Sequence, residues 1–66
     1  MNVILNGTAR ELPAGATAGD AARLVTAGRP GVAVAVNDDV VSRAAWDSTP
    51  LADGDRVEIL TAVQGG

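Results

Sequence analysis

Gln64-Gly65-Gly66 ends the sequence on a carboxylate carried by two residues without side chains. Such an ending can thread a channel too narrow for other residues, and glycine tolerates backbone angles that a Cβ forbids. It suits a protein whose own C-terminus is the substrate of another enzyme. The plain alternatives are chance or a trimmed end. At an average glycine usage of about 7%, two terminal glycines arise by luck in roughly one chain in 200, so the remaining residues must support the reading.

Few other reactive groups are available. The 66 residues include no histidine and no cysteine, and all five cations are arginines. Without histidine, cysteine or lysine, the usual sets of nucleophile and base cannot be assembled. Metal sites built on imidazole or thiolate are excluded as well, so no metal site is expected. Carboxylates remain at Asp38-Asp39 and at Asp53 and Asp55. They sit in turn contexts, where aspartate commonly serves local backbone hydrogen bonding. The expectation is a chain with no catalytic residue of its own.

A net charge of −3 with scattered positive residues makes a poor nucleic-acid surface, because phosphate contacts need clustered cations. No apolar run approaches the roughly 18 residues of a membrane span, and no basic-then-apolar leader opens the sequence. A cytoplasmic protein without nucleic-acid or membrane partners is expected. One domain over residues 1–66 should bury only about 60% of the surface its unfolded chain exposes. With no disulfide to staple it, the core has to come from aliphatic packing.

The elements that would carry the tail can be read in order. Met1 to Leu5 is β-prone, and Asn6-Gly7 after it signals a type I′ hairpin turn, whose two central residues need positive φ. Thr8 to Leu12 returns, and Pro13 and Gly15 close the hairpin. Thr17 fits a helix N-cap, with Asp20 in the capping-box position. Ala18, Ala21, Ala22 and Val25 give the helical stripe, widened by Leu24. Gly28 fits the C′ position, and Pro30 stops the helix from resuming. Gly19 weakens its first turn by up to about 1 kcal/mol relative to alanine.

Val32 to Val36 is a strand, Asn37-Asp38-Asp39 turns the chain, and Val40-Val41-Ser42 is a short returning strand. Arg43 to Pro50 is irregular, with Trp46 as a hydrophobic plug or, less simply, a partner hot spot. Asp53-Gly54 makes a tight turn before a last strand from Arg56 to Val63. The order sums to ββαββ, with the final strand running to the terminus. An α+β domain follows, one helix packed on one face of a small mixed sheet. The helix should bury Val3, Leu5, Val34, Val36, Val57 and Ile59. Ile4, Leu60 and Ala62 are left on the uncovered face.

This pattern resembles the β-grasp, or ubiquitin-like, fold, in which first and last strands pair in parallel at the sheet centre. More specifically, it is similar to the ThiS family, the sulfur carrier proteins of thiamine biosynthesis. The matching residues are Met1-Asn2-Val3-Ile4-Leu5-Asn6-Gly7, Ala35-Val36-Asn37, Val40-Val41, Trp46 and Thr49-Pro50-Leu51. Asp53-Gly54-Asp55-Arg56-Val57-Glu58-Ile59 and Ala62-Val63-Gln64-Gly65-Gly66 complete them. Family members often carry Asn-Gly-Glu where this chain has Asn37-Asp38-Asp39, which changes a turn residue and touches no functional one.

The resemblance implies a carrier mechanism. An adenylating (ThiF-type) activating enzyme, using ATP that the chain itself does not bind, would convert the Gly66 carboxylate to an acyl-adenylate. Sulfur from a donor enzyme's persulfide would replace AMP, and the resulting thiocarboxylate would serve a ThiG-type thiazole synthase. Gly66 would be the attachment point, and Gly65 and Gln64 its tail. Extended, residues 62–66 span at most roughly 17 Å, enough to enter a partner's site while the body docks outside. Ile4, Leu60 and Ala62 form the expected docking patch, being on the uncovered face beside the tail.

Carriers for tRNA thiolation or molybdopterin synthesis share the fold and the glycine pair. The molybdopterin carriers tend to have proline before the tail, which residues 60–64 lack. A binding module that uses no tail chemistry and a protein-conjugating modifier are the further alternatives.

Overall fold

The computed structural model describes residues 1–26 and 31–61. Strand β1 (Asn2–Leu5) and strand β2 (Thr8–Glu11) form the first hairpin, and helix α1 (Ala18–Thr26) follows. Strands β3 (Val32–Val36) and β4 (Asp39–Val41) make the second hairpin. A 3-10 helix, Arg43–Ser48, leads to strand β5 (Arg56–Thr61). The sheet order is β2-β1-β5-β3-β4, with β1 and β5 parallel and the other neighbours antiparallel. First and last strands therefore meet inside the sheet, as the β-grasp resemblance implies.

The sheet has five strands, one more than the ββαββ sum. The sum leaves out the short returning strand, which runs Asp39–Val41 instead of residues 40–42 because Asp39, Val40 and Val41 register with Val36, Ala35 and Val34. Arg43–Ser48, irregular by pattern, is wound as a 3-10 helix that drops Trp46 into the core. The Trp46 indole N–H donates to the Val41 carbonyl at 3.1 Å, so the one polar atom of the plug is satisfied.

Val3, Leu5, Val34, Val57 and Ile59 are buried beneath α1 as the alternation requires, while Val36 is half-buried. Fully burying one such side chain stabilises by about 1.5–3 kcal/mol, and Leu12, Trp46, Leu51 and the alanines of α1 complete the core around them. The helix opens on the expected capping box. The Thr17 N–H donates to Asp20 Oδ2 at 2.9 Å and the Asp20 N–H donates to Thr17 Oγ1 at 3.2 Å.

Its buried stripe is displaced from the one expected. Ala18, Gly19, Ala21, Ala22 and Thr26 are buried, whereas Leu24 and Val25 are exposed. The cause is a second neighbour: α1 touches the 3-10 helix as well as β3 and β5, which turns the buried arc toward Gly19. A Cβ at Gly19 would meet the tips of the Asp47 and Arg23 side chains, so the glycine that weakens the helix leaves room for their ion pair beside Arg43–Ser48. Thr26 accepts burial because its hydroxyl donates to the Ala22 carbonyl at 3.0 Å. The helix-stop residues Gly28 and Pro30 lie outside the described residues.

Candidate functional site

Gly66, Gly65, Gln64 and Ala62 lie outside the described residues, so the structure bears on the site through the strand that leads to them. β5 is held on both sides, and the two sides differ. Toward β3 it registers over five residues, from Val57 opposite Val36 to Thr61 opposite Val32. Toward β1 the ladder covers only Ile4 and Leu5, opposite Arg56 and Val57.

On that β1 side the peptide groups of alternate β5 residues point inward. The Ile4 N–H donates to the Asp55 carbonyl at 2.8 Å, and the Asn6 N–H donates to the Val57 carbonyl at 2.9 Å. Ile59 comes next by period two, but the backbone of β1 has already turned away at Asn6-Gly7. The Asn6 side chain fills the gap. Its Oδ1 accepts from the Ile59 N–H at 2.7 Å, and its Nδ2 donates to the Ile59 carbonyl at 3.2 Å. A carboxamide thus does what the next residue of a strand would do.

Asn37 acts at the other end of β5. Its N–H donates to the Arg56 carbonyl at 2.8 Å, and its Oδ1 accepts from the Arg56 N–H at 2.9 Å. Its Nδ2 donates to Asp55 Oδ1 at 3.0 Å. Both asparagines hold left-handed backbone, φ 49° at Asn6 and φ 51° at Asn37, followed by Gly7 at 83° and Asp38 at 73°. The turn signals in the sequence are therefore correct, but they give no notice of the carboxamides reaching β5.

Ile4 and Leu60 both lie on the face away from α1, at 38% and 66% exposure. They are not adjacent. Ile4 registers with Arg56, and Leu60 lies four positions further along β5 opposite Ala33, about 13 Å away by strand rise. Glu58, opposite Ala35, stands between them. Val40, 80% exposed and also opposite Ala35, adds an apolar residue to this face that the sequence reading passed over. Its alternation with buried-side Val41 was the signal.

The aspartates serve structure. Asp53 Oδ1 accepts from the Asn2 N–H at 2.6 Å, and Asp55 Oδ2 accepts from the Ala52 N–H at 2.7 Å. Asp38 departs from the expected backbone role and pairs with Arg56 at 2.8 Å. Hydrogen bonding and charge attraction from Arg56 hold the Asp38 carboxyl below its ordinary range and raise the guanidinium correspondingly. The backbone N–H of Thr17, with smaller help from its hydroxyl and Arg23, likewise lowers Asp20. No group of three or more potential metal ligands occurs among the described residues. No helix among them is long and apolar enough to cross a membrane. An open depression of about 410 Å³ lies at the Leu12 end of the sheet, lined by Pro13, Ala16 and Leu24 among others. That end is opposite the one where β5 finishes.

Comparison with known proteins follows the same lines. The ThiS family model matches residues 3–66. The crystal structure of the thiamine biosynthesis protein ThiS from Geobacter metallireducens aligns over 100% of both chains, with 32% identity and a TM-score of 0.75. No curated protein matches the chain.

Proposed function

Because this chain belongs to the ThiS family, we propose that it is a sulfur carrier whose Gly66 carboxylate is loaded and unloaded by partner enzymes during thiazole formation. The observation that carries the reading is the family match running through residue 66, so the glycine pair falls within the matched region. The family and the aligned ThiS structure support a role in thiamine biosynthesis.

The reference pKa of an α-carboxyl, about 3.5, leaves Gly66 ionised at neutral pH and nucleophilic toward the α-phosphate of ATP. A carboxylate is a poor acyl donor, because sulfur cannot displace its oxygen directly. Adenylation by a ThiF-type enzyme releases pyrophosphate and gives a mixed anhydride with AMP as leaving group. The terminal sulfur of the donor's persulfide displaces AMP to give an acyl disulfide. A thiol reductant cleaves that S–S bond to leave the terminal thiocarboxylate, and the thiocarboxylate passes sulfide to a ThiG-type thiazole synthase. Gly65 and Gln64 serve as the thin lead into each partner's site. In this scheme ATP binds the partner, the carrier catalyses nothing, and the work takes place in the cytoplasm.

The exposed face around Leu60, Ala33 and Val40 is the docking surface in this reading, with Ile4 at its far margin. Leu60→Arg should lower the rate of adenylation at least severalfold while leaving the circular dichroism spectrum and melting temperature unchanged. Unchanged adenylation would remove Leu60 from that surface.

Deleting Gly65 and Gly66 tests the function itself. The shortened chain should fold as before yet support no thiazole formation when combined with activating enzyme, sulfur donor and thiazole synthase. Retained activity would leave a docking module without tail chemistry. Consumption of the loaded chain by a tRNA-thiolating enzyme or molybdopterin synthase, but not by thiazole synthase, would move the carrier to another pathway.

A further inference from the structure

β1 ends at Leu5, two residues short of where β5 still needs a partner on that side. The Asn6 carboxamide supplies it, with both of its polar ends bonded to the Ile59 peptide group. Nothing in a type I′ turn demands this, since glycine serves equally well at positive φ. The side chain is also costly to orient in one way, because only one carboxamide orientation satisfies both the N–H and the carbonyl of Ile59. Beyond Ile59 only Leu60 and Thr61 separate this clamp from residues 62–66.

We infer that Asn6 is a positioning residue for the tail: standing in for a missing strand residue, it fixes the attitude of β5 where the chain passes on to the acceptor group. The inference rests on the carrier reading above. When the body docks through its exposed face, occupancy is set by that face. The terminus must still arrive in the partner's site, and the share of docked complexes in which it does depends on how firmly its root is aimed. A loosened root therefore slows turnover at saturating carrier and leaves the half-saturating concentration alone. Loss of folded protein behaves oppositely, because excess carrier restores the rate.

The experiment measures ATP-dependent adenylation by a ThiF-type enzyme over a range of carrier concentrations, for the unaltered chain, Asn6→Gly, Asn6→Asp and Asn37→Gly. Asn6→Gly keeps the turn and removes the clamp. Asn6→Asp keeps shape and acceptor but sets an oxygen against the Ile59 carbonyl. Asn37→Gly removes a carboxamide of the same kind from the other end of β5.

Both Asn6 variants should lower kcat roughly three- to tenfold, the shift expected when hydrogen bonds of ordinary net strength leave a two-state equilibrium, with KM within about twofold. Amide exchange at Ile59 should accelerate in both, and Asn37→Gly should keep the unaltered kcat. An unchanged kcat for Asn6→Gly, or a loss confined to KM that follows the melting temperature, overturns the positioning role while the carrier reading stands. Failure of the unaltered chain to be adenylated overturns the carrier reading and the inference built on it.

Discussion

Asn6 opens one hairpin turn at φ 49° and Asn37 opens the other at φ 51°, and each sends its carboxamide to β5. The first reaches Ile59, toward the end of the strand, and the second reaches Arg56 at its start. One residue type in one backbone conformation thus guards both ends of the central strand, from opposite sides. The surroundings differ. The second turn adds an ion pair, Asp38 to Arg56, and ties Asp55 into the entry turn. The first has only the carboxamide, beside the end from which the chain runs on toward Gly66. At its exit β5 keeps the β3 ladder as far as Thr61, but on the β1 side it is held there by one side chain, whereas its entry is secured redundantly.

The heaviest blow to this comparison is a β-branched residue at either turn. Asn6→Val and Asn37→Val should each cost about 2–4 kcal/mol in urea unfolding, combining left-handed backbone strain with the lost hydrogen bonds. A much smaller loss at either position would mean that the two turns are not built alike.

Glycine at the same positions sharpens it, since backbone strain is absent. Each substitution should cost about 1 kcal/mol, the net worth of the carboxamide bonds alone. Amide exchange should then separate the two: faster at Ile59 in Asn6→Gly, faster at Arg56 in Asn37→Gly. The same pattern in both variants would mean that β5 loosens as a unit, and the distinction between entry and exit would fail.

Acid gives the gentlest test. The Asp38 carboxyl is held low in the folded chain, so its contribution is complete above its ordinary value of 3.8 and is lost as pH falls through the lowered one. Both partners are more than half exposed, so the effect on stability is small and shrinks with salt. Carboxyl resonances followed by NMR should show Asp38 titrating below its ordinary value, with the Arg56 guanidinium N–H resonances shifting in step as their partner is protonated, while the Asn6 amide resonances stay still. Movement of both asparagine amides in that range would show that the turns share one electrostatic response.

How far these features were legible in the sequence depends on their physical origin. Alternation in β1, β3 and β5 and the positive-φ dipeptides are local, so strand faces and turn positions could be read directly. The capping box at Thr17 and Asp20 was local too. The displaced stripe of α1 was not, because it comes from the approach of the 3-10 helix at Gly19, a contact across 28 residues from Gly19 to Asp47. Leu24 and Val25 were assigned inward for want of that neighbour. The clamp of Asn6 on Ile59 spans 53 positions and uses a side chain that the turn already explained, so no pattern exposed it. At the site, Gly66 is proposed from the sequence alone, because its chemistry needs no fold. The separation of Ile4 from Leu60 needed the register of β5 with both neighbours.

The most direct test of the account is the intact mass of the full chain after incubation with ATP, a persulfide donor, a thiol reductant and a ThiF-type activating enzyme. The account predicts that one terminal oxygen is exchanged for sulfur, in an ATP-dependent manner, and that cleavage of the glycine pair removes the change. An unaltered mass under conditions in which the enzyme loads its own carrier, or a stable isopeptide adduct in place of the thiocarboxylate, would contradict it.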